Sequence, residues 1–237
     1  LDEVLLGDAA PHVRRTLQRF IRHQPADVAL AGSLALAARA REKGLRAERS
    51  FGDIDVVAPS FDVLSEGLAA DFVCPHVHPD VGTGHLLVQF VHPADAVRID
   101  LFRAPAGCFD RAALFKCGQG SVAVLSLEDQ ASHAAAECMK TTRGGKVASK
   151  HMRDLDIMLP LVDRVTVEDA WMDHRRDADP DRFEEAAAQI RNHLADNAGC
   201  FVDLAYSTDI TAHCPRCRPA RTFRPAPQEA FAILGYV

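Results

Sequence analysis

The sequence predicts an α+β fold: a mixed β-sheet flanked by helices, followed by a helical C-terminal region. Two observations carry that reading. Short apolar runs with two-residue alternation recur among helical segments, in the order helix, strand, helix, strand, helix, then three consecutive strands. After about residue 125 the alternation gives way to helical spacing. With 237 residues, 48% of them hydrophobic, the chain can bury one large core or two small ones. We expect a core domain over 1–120, a helical domain closing its cleft over 121–199, and a Cys/Arg/Pro-containing tail over 200–237.

Residues 8–23 read as a helix. Asp8 caps it, Pro11 fits its first turn, and Val13, Leu17, Phe20 and Ile21 form one apolar stripe. Pro25 stops it before the apolar run 28–31. Gly32 then allows a sharp exit from that strand and a close backbone approach to a ligand. Ser33 is read as the N-cap of a helix over 34–43, with Gly44 as its C′ residue. A helix start of this kind presents N–H groups and a positive dipole end to an anion; an ordinary strand-turn-helix is the alternative.

The next strand carries Asp53-Ile54-Asp55 and runs into Val56 and Val57. Alternation puts Asp53 and Asp55 on one face and Ile54 and Val56 in the core. Adjacent carboxylates repel unless a cation lies between them, and hard oxygen donors suit Mg²⁺. Pro59-Ser60 breaks the chain, and 61–70 reads as a short helix. A strand begins at Phe72-Val73, but Pro75 and Pro79 make 73–81 read as a loop. The turn 82–84 leads to a strand over 85–92, and the turn 93–95 to a strand over 97–102. There Arg98 and Asp100 face away from Val97, Ile99 and Leu101. Asp100 thus supplies a third acid, and three acids on adjacent strands suit a two-metal site for phosphoryl transfer.

Residues 105–117 read as a connector and 121–125 as one more strand. Ser126 caps an alanine-rich helix over 127–142. A helix over 150–162 is cut short or kinked by Pro160, and further helices follow over 166–174 and 180–197.

Gly32-Ser33 before a helix, Asp53-Ile54-Asp55 on a strand and Asp100 on a later strand together resemble the DNA-polymerase-β-like nucleotidyltransferase superfamily. Within it, Ser126-Leu127-Glu128-Asp129 and the segment 150–158 are similar to motifs of the AbiEii-type family, which includes toxins of toxin–antitoxin pairs. The second match is approximate, since Asp154 and Asp156 are separated by one residue rather than two. The lysine that family places early in the helix is replaced near that position by His133 and Ala134.

The resemblance implies a nucleotidyltransferase fold and a reaction moving a nucleoside monophosphate from an NTP to an acceptor hydroxyl. Gly32 and Ser33 would hold the β/γ-phosphates, and Asp53, Asp55 and Asp100 would be the catalytic residues and ligands of two Mg²⁺ ions. Lys140, Lys150 and Arg153 would meet phosphates, and Asp154 would orient a basic side chain or the acceptor. Lys140, Arg143, Lys146, Lys150 and Arg153 read equally well as a solvated face, and Asp154 as the i+4 partner of Lys150. The acceptor implied is tRNA or another RNA, with an antitoxin as partner; a small hydroxylated molecule such as an antibiotic, or a protein, is the alternative. A glycosyltransferase with an Asp-x-Asp metal site leaves Gly32-Ser33 and Asp100 without a role. A catalytically inactive RNA-binding or regulatory module would bind NTP independently of Mg²⁺ or not at all.

Cys214-Pro215-Arg216-Cys217 has zinc-knuckle spacing, with Cys200, His193 or His213 as further ligands; two thiols in a proline-rich turn are the other reading. Arg216, Arg218, Arg221 and Arg224 around it make a basic patch suited to RNA. Cys74, His76 and His78, with Asp80, are a weaker candidate for a metal site. Net charge of −6 excludes a globally basic nucleic-acid binder and leaves only local basic surface. Seven cysteines without framework spacing favour reduced thiols. The absence of a long apolar stretch and of a signal-peptide pattern is read as cytoplasmic, with no membrane partner, and a first residue other than Met suggests a start further upstream.

Overall fold

The structure, a computed structural model, describes residues 1–5, 10–24, 26–45, 51–79 and 86–202. It divides into two compact units, one formed by Leu1–Val124 and a second beginning at Leu125.

The first unit opens with α1 (Ala10–His23), followed by β1 (Ala29–Leu30), α2 (Gly32–Glu42) and β2 (Asp53–Ala58). Asp8, the expected cap of α1, lies outside the described residues. The segment expected as one helix over 61–70 is broken. A 3-10 turn at Phe61–Val63, capped by Ser60, precedes the short α3 (Leu68–Asp71). Ser65 and Gly67 between them make a local side-chain turn, with Gly67 N–H donating to Ser65 Oγ at 3.1 Å.

Three consecutive strands follow: β3 (Val73–Pro79), β4 (Leu86–Val91) and β5 (Arg98–Arg103). β3 carries the strand expected to begin at Phe72-Val73 through the stretch that read as a loop. It lies at the sheet edge, and its register slips between Val73 and His76, around Pro75. An edge position with an irregular register tolerates a residue that cannot donate to the ladder. The stretch expected as a connector also contains structure, α4 (Gly107–Asp110) and β6 (Ala113–Cys117), and β7 (Gly120–Val124) closes the unit. β6 forms the opposite edge and leaves Leu114 exposed, so its apolar residue marks a strand without marking a core face.

The sheet order is β3-β4-β5-β2-β1-β7-β6. It is mixed: β2 is parallel to β5 and β1 to β7, and the remaining pairs are antiparallel. A single core joins Val13, Leu17, Phe20 and Ile21 of α1 and Leu34, Ala35 and Ala38 of α2 to Leu30, Ile54, Val56, Ile99 and Leu101 of the central strands. Arg15 pins the turn before β5 to α1, donating to Asp95 Oδ1 from Nε at 3.0 Å and Nη2 at 2.8 Å.

The second unit is helical. Ser126 caps α5 (Leu127–Cys138) by accepting from the Asp129 N–H at 2.9 Å. A 3-10 turn at Thr141–Arg143 follows, where a continued α-helix was expected, and Gly144 ends it in the left-handed region at φ 80°. β8 (Val147–Ala148) leads into α6 (Ser149–Met158), which stops before Pro160. Then come α7 (Arg164–His174), capped by Asp163, and α8 (Phe183–Asp196). β9 (Phe201–Val202) pairs in parallel with β8. Trp171 is fully buried among these helices and donates its indole N–H to the Pro180 carbonyl at 2.9 Å. Among the described residues no helix is long and apolar enough to cross a membrane.

Candidate active site

Strand pairing assembles the site. β2 and β5 run parallel with Asp53 opposite Arg98 and Asp55 opposite Asp100. Four polar side chains therefore share one face, while Ile54, Val56, Ile99 and Leu101 fill the core behind them. Asp53 and Asp55 are half-buried; Asp100 is buried, at 6% exposure.

Arg98 sits between two of the acids. Its Nη2 lies 3.1 Å from Asp53 Oδ2 and its Nε 2.8 Å from Asp100 Oδ1. Gln89, opposite Asp100 on β4, donates from Nε2 to the same Oδ1 at 3.0 Å. Burial pushes the Asp100 carboxyl above its ordinary value, with the nearby Asp53 charge adding to the rise and Arg98 and Gln89 opposing it. Sequence reasoning had put Arg98 on the acidic face without giving it work, and Gln89 had no signal at all. Both roles depend on strand register, which alternation alone does not set.

The turn into α2 meets the acids directly. The Ala31 N–H donates to the Asp55 carbonyl at 2.9 Å, and Gly32 follows at φ 61°. A Cβ built on Gly32 would stand 1.9 Å from Asp55 Oδ2, so no side chain fits there. The close approach expected of this glycine is made to a carboxylate. Ser33 is not the N-cap: Ala31 holds that position, with no side-chain hydrogen bond. The left-handed turn at Gly32 starts the helix two residues early and moves Ser33 into its first turn. At the other end Gly44 does act as C′, at φ 77°, with Gly44 N–H bonded to Arg41 O and Leu45 N–H to Ala40 O.

The remaining expected site residues belong to the second unit. Lys140 Nζ lies 2.5 Å from Glu137 Oε2, and Arg143 Nη1 lies 2.6 Å from Asp179 Oδ1. These two cations of the basic segment thus have acidic partners inside their own unit. Lys150 and Asp154 are half-buried on α6, and Arg153 is exposed there with no ion pair among the described residues. Cys200 is a half-buried free thiol. Cys214, Cys217, His213 and the surrounding arginines lie outside the described residues, as do Asp80 and the side chains of His76 and His78.

The chain is similar to several solved structures. An antigenic nucleotidyltransferase-like protein from Paracoccidioides brasiliensis is 15% identical over 81% of this chain and 93% of its own, with a TM-score of 0.43. ANT(2″)-Ia in complex with adenylyl-2″-tobramycin is 15% identical over 68% of this chain and 95% of its own, with a TM-score of 0.48. JHP933 from Helicobacter pylori is 12% identical over 83% of this chain and 81% of its own, with a TM-score of 0.46. No protein-family model and no curated protein matches the chain.

Proposed function

We propose that the chain is a nucleotidyltransferase that moves a nucleoside monophosphate from an NTP to an acceptor hydroxyl and releases pyrophosphate. The observation that carries this reading is the paired register of Asp53-x-Asp55 with Asp100, packed against a helix start whose glycine admits no side chain.

The donor set fits a hard divalent cation. Three carboxylates converge on one face, and the Gly32 cradle leaves the Asp55 carboxylate uncovered by a Cβ. Asp53, Asp55 and Asp100 would hold Mg²⁺, which when bound supplies charge neutralisation at the triphosphate and the leaving pyrophosphate. Backbone N–H groups at Gly32 and Ser33 bind the β- and γ-phosphates. Asp100 receives the acceptor's proton. Arg98 and Gln89 both engage its Oδ1, so Oδ2 is the oxygen we assign to that proton. Holding the reactants in line in a site of fixed charges then accounts for most of the rate.

RNA, and tRNA first, is the acceptor we propose, on the likeness of Ser126–Asp129 and 150–158 to the AbiEii-type segments; an antitoxin partner follows from the same likeness. The deciding experiment follows α-labelled ATP, CTP, GTP and UTP into total RNA with Mg²⁺, for wild type and Asp55→Ala. Label entering RNA with wild type alone supports the proposal in full. Pyrophosphate release with a hydroxylated small molecule and none with RNA moves the acceptor and keeps the chemistry. Equal transfer by folded Asp55→Ala sinks the assignment.

A further inference from the structure

Arg98 completes a square. Asp53 and Asp55 form one side on β2, Arg98 and Asp100 the other on β5, and the parallel register sets Asp53 beside Arg98 and Asp55 beside Asp100. The guanidinium reaches both Asp53 and Asp100, and its side chain is 12% exposed, so it is part of the site's interior rather than a solvated rim. Its planar fork offers several donors in a fixed geometry. A second cation seated between Asp53 and Asp100 would have to displace it.

The edge of the square where two carboxylates face each other in register is Asp55–Asp100, and the Gly32 cradle lies against Asp55.

We infer that Arg98 is a resident cation and a positioning residue, standing in for one of two metal ions, so that the site binds a single divalent ion at Asp55 and Asp100. This rests on the proposed carboxylate site and narrows the two-ion expectation drawn from the sequence.

The test counts Mn²⁺ bound to the full-length chain by the loss of its free-ion EPR signal. Wild type is expected to bind one Mn²⁺ per chain and Asp55→Asn none. Arg98→Gln is expected to rise from one to two, and Arg98→Lys, which keeps a charge, to stay at one. Two ions on wild type, or one on an Arg98→Gln protein that melts as a folded chain, overturns the inference. Should Arg98→Gln fail to fold, two ions on Arg98→Lys also overturns it. Wild type with no Asp55-dependent Mn²⁺ at all overturns the carboxylate reading itself, a result separable from the wrong count.

Discussion

Asp100 in the first unit and Glu137 in the second are both carboxylates drawn away from water, and their hold on a proton moves in opposite directions. Burial raises Asp100, and its neighbours Arg98 and Gln89 do not bring it back. Burial also pushes Glu137 up, but the Lys140 hydrogen bond and the charges of His133, Lys140 and Arg176 outweigh it, taking the group from 4.5 to about 2. The second unit treats its other buried acids alike. Asp129 accepts from Ser126 Oγ at 2.6 Å and lies 3.3 Å from His174 Nε2; Asp179 accepts from Arg143 at 2.6 Å and from the Arg176 N–H at 2.9 Å. Acids with a full set of protein donors hold a fold together. Acids set in register against another acid store repulsion that a nearby cation can relieve.

Gly32→Ala is the largest perturbation of that contrast. Its Cβ would collide with Asp55 Oδ2, and its φ of 61° disfavours any L side chain. We expect about 1–2 kcal/mol of destabilisation from the backbone alone. A catalytic carboxylate moved by an ångström costs transfer about 100-fold. Label transfer and thermal melting, measured together, check both. Near-wild-type transfer would mean that the approach of the helix start to Asp55 has no part in the chemistry.

Glu137→Gln attacks the satisfied side. It removes the charge that holds Lys140 and Arg176 and is expected to cost about 2 kcal/mol at neutral pH. The sign with pH follows from a folded value below the ordinary one. Glu137 contributes its stability above about pH 4.5, and that contribution disappears as the pH falls toward 2. Wild type and variant should therefore differ in urea midpoint at pH 7 and converge in acid. A constant gap from pH 7 to pH 3 would contradict the assignment.

How much of this was legible beforehand depends on whether a residue's role is local. The apolar stripe of α1, the alternation of β2 and β5, the Ser126 cap and the Gly44 terminus are short-range patterns, and the sequence displays them. β6 was missed, and β3 was expected to begin at Phe72-Val73 but read as a loop beyond it, because edge strands tolerate prolines and exposed apolar residues that a central strand would not. Arg98 and Gln89 acquire meaning only once β5 is paired with β2 on one side and β4 on the other. Lys140 is a different case. Glu137 stands three residues before it on the same helical surface, so its pairing could have been read from spacing.

Asp100→Asn asks whether the strained acid is kept for function. Because its folded value is raised, the folded chain holds this proton longer than the unfolded chain does, and stability falls as the pH rises through the window above 3.8. Replacing the carboxyl with a neutral amide that can still accept from Gln89 should raise the melting point at pH 8 by the equivalent of about 0.5–1 kcal/mol while abolishing transfer. A variant both less stable and inactive would place Asp100 with the satisfied acids instead.

The smallest effects distinguish committed from uncommitted cations in the basic segment. Lys140 is tied to Glu137, whereas Arg153 is exposed on α6 without an ion pair among the described residues. Lys140→Ala should lower the urea midpoint by the equivalent of about 0.5–1 kcal/mol and leave the KM for NTP unchanged. Arg153→Ala should leave the midpoint unchanged and, if the AbiEii-like assignment to substrate phosphates holds, raise the KM for NTP or RNA a few-fold, more at low salt than at high salt. The reverse pattern, with KM following Lys140, would show that the Glu137 pair opens to release its lysine to substrate, and that a cation's partner in the free protein does not fix its role during turnover.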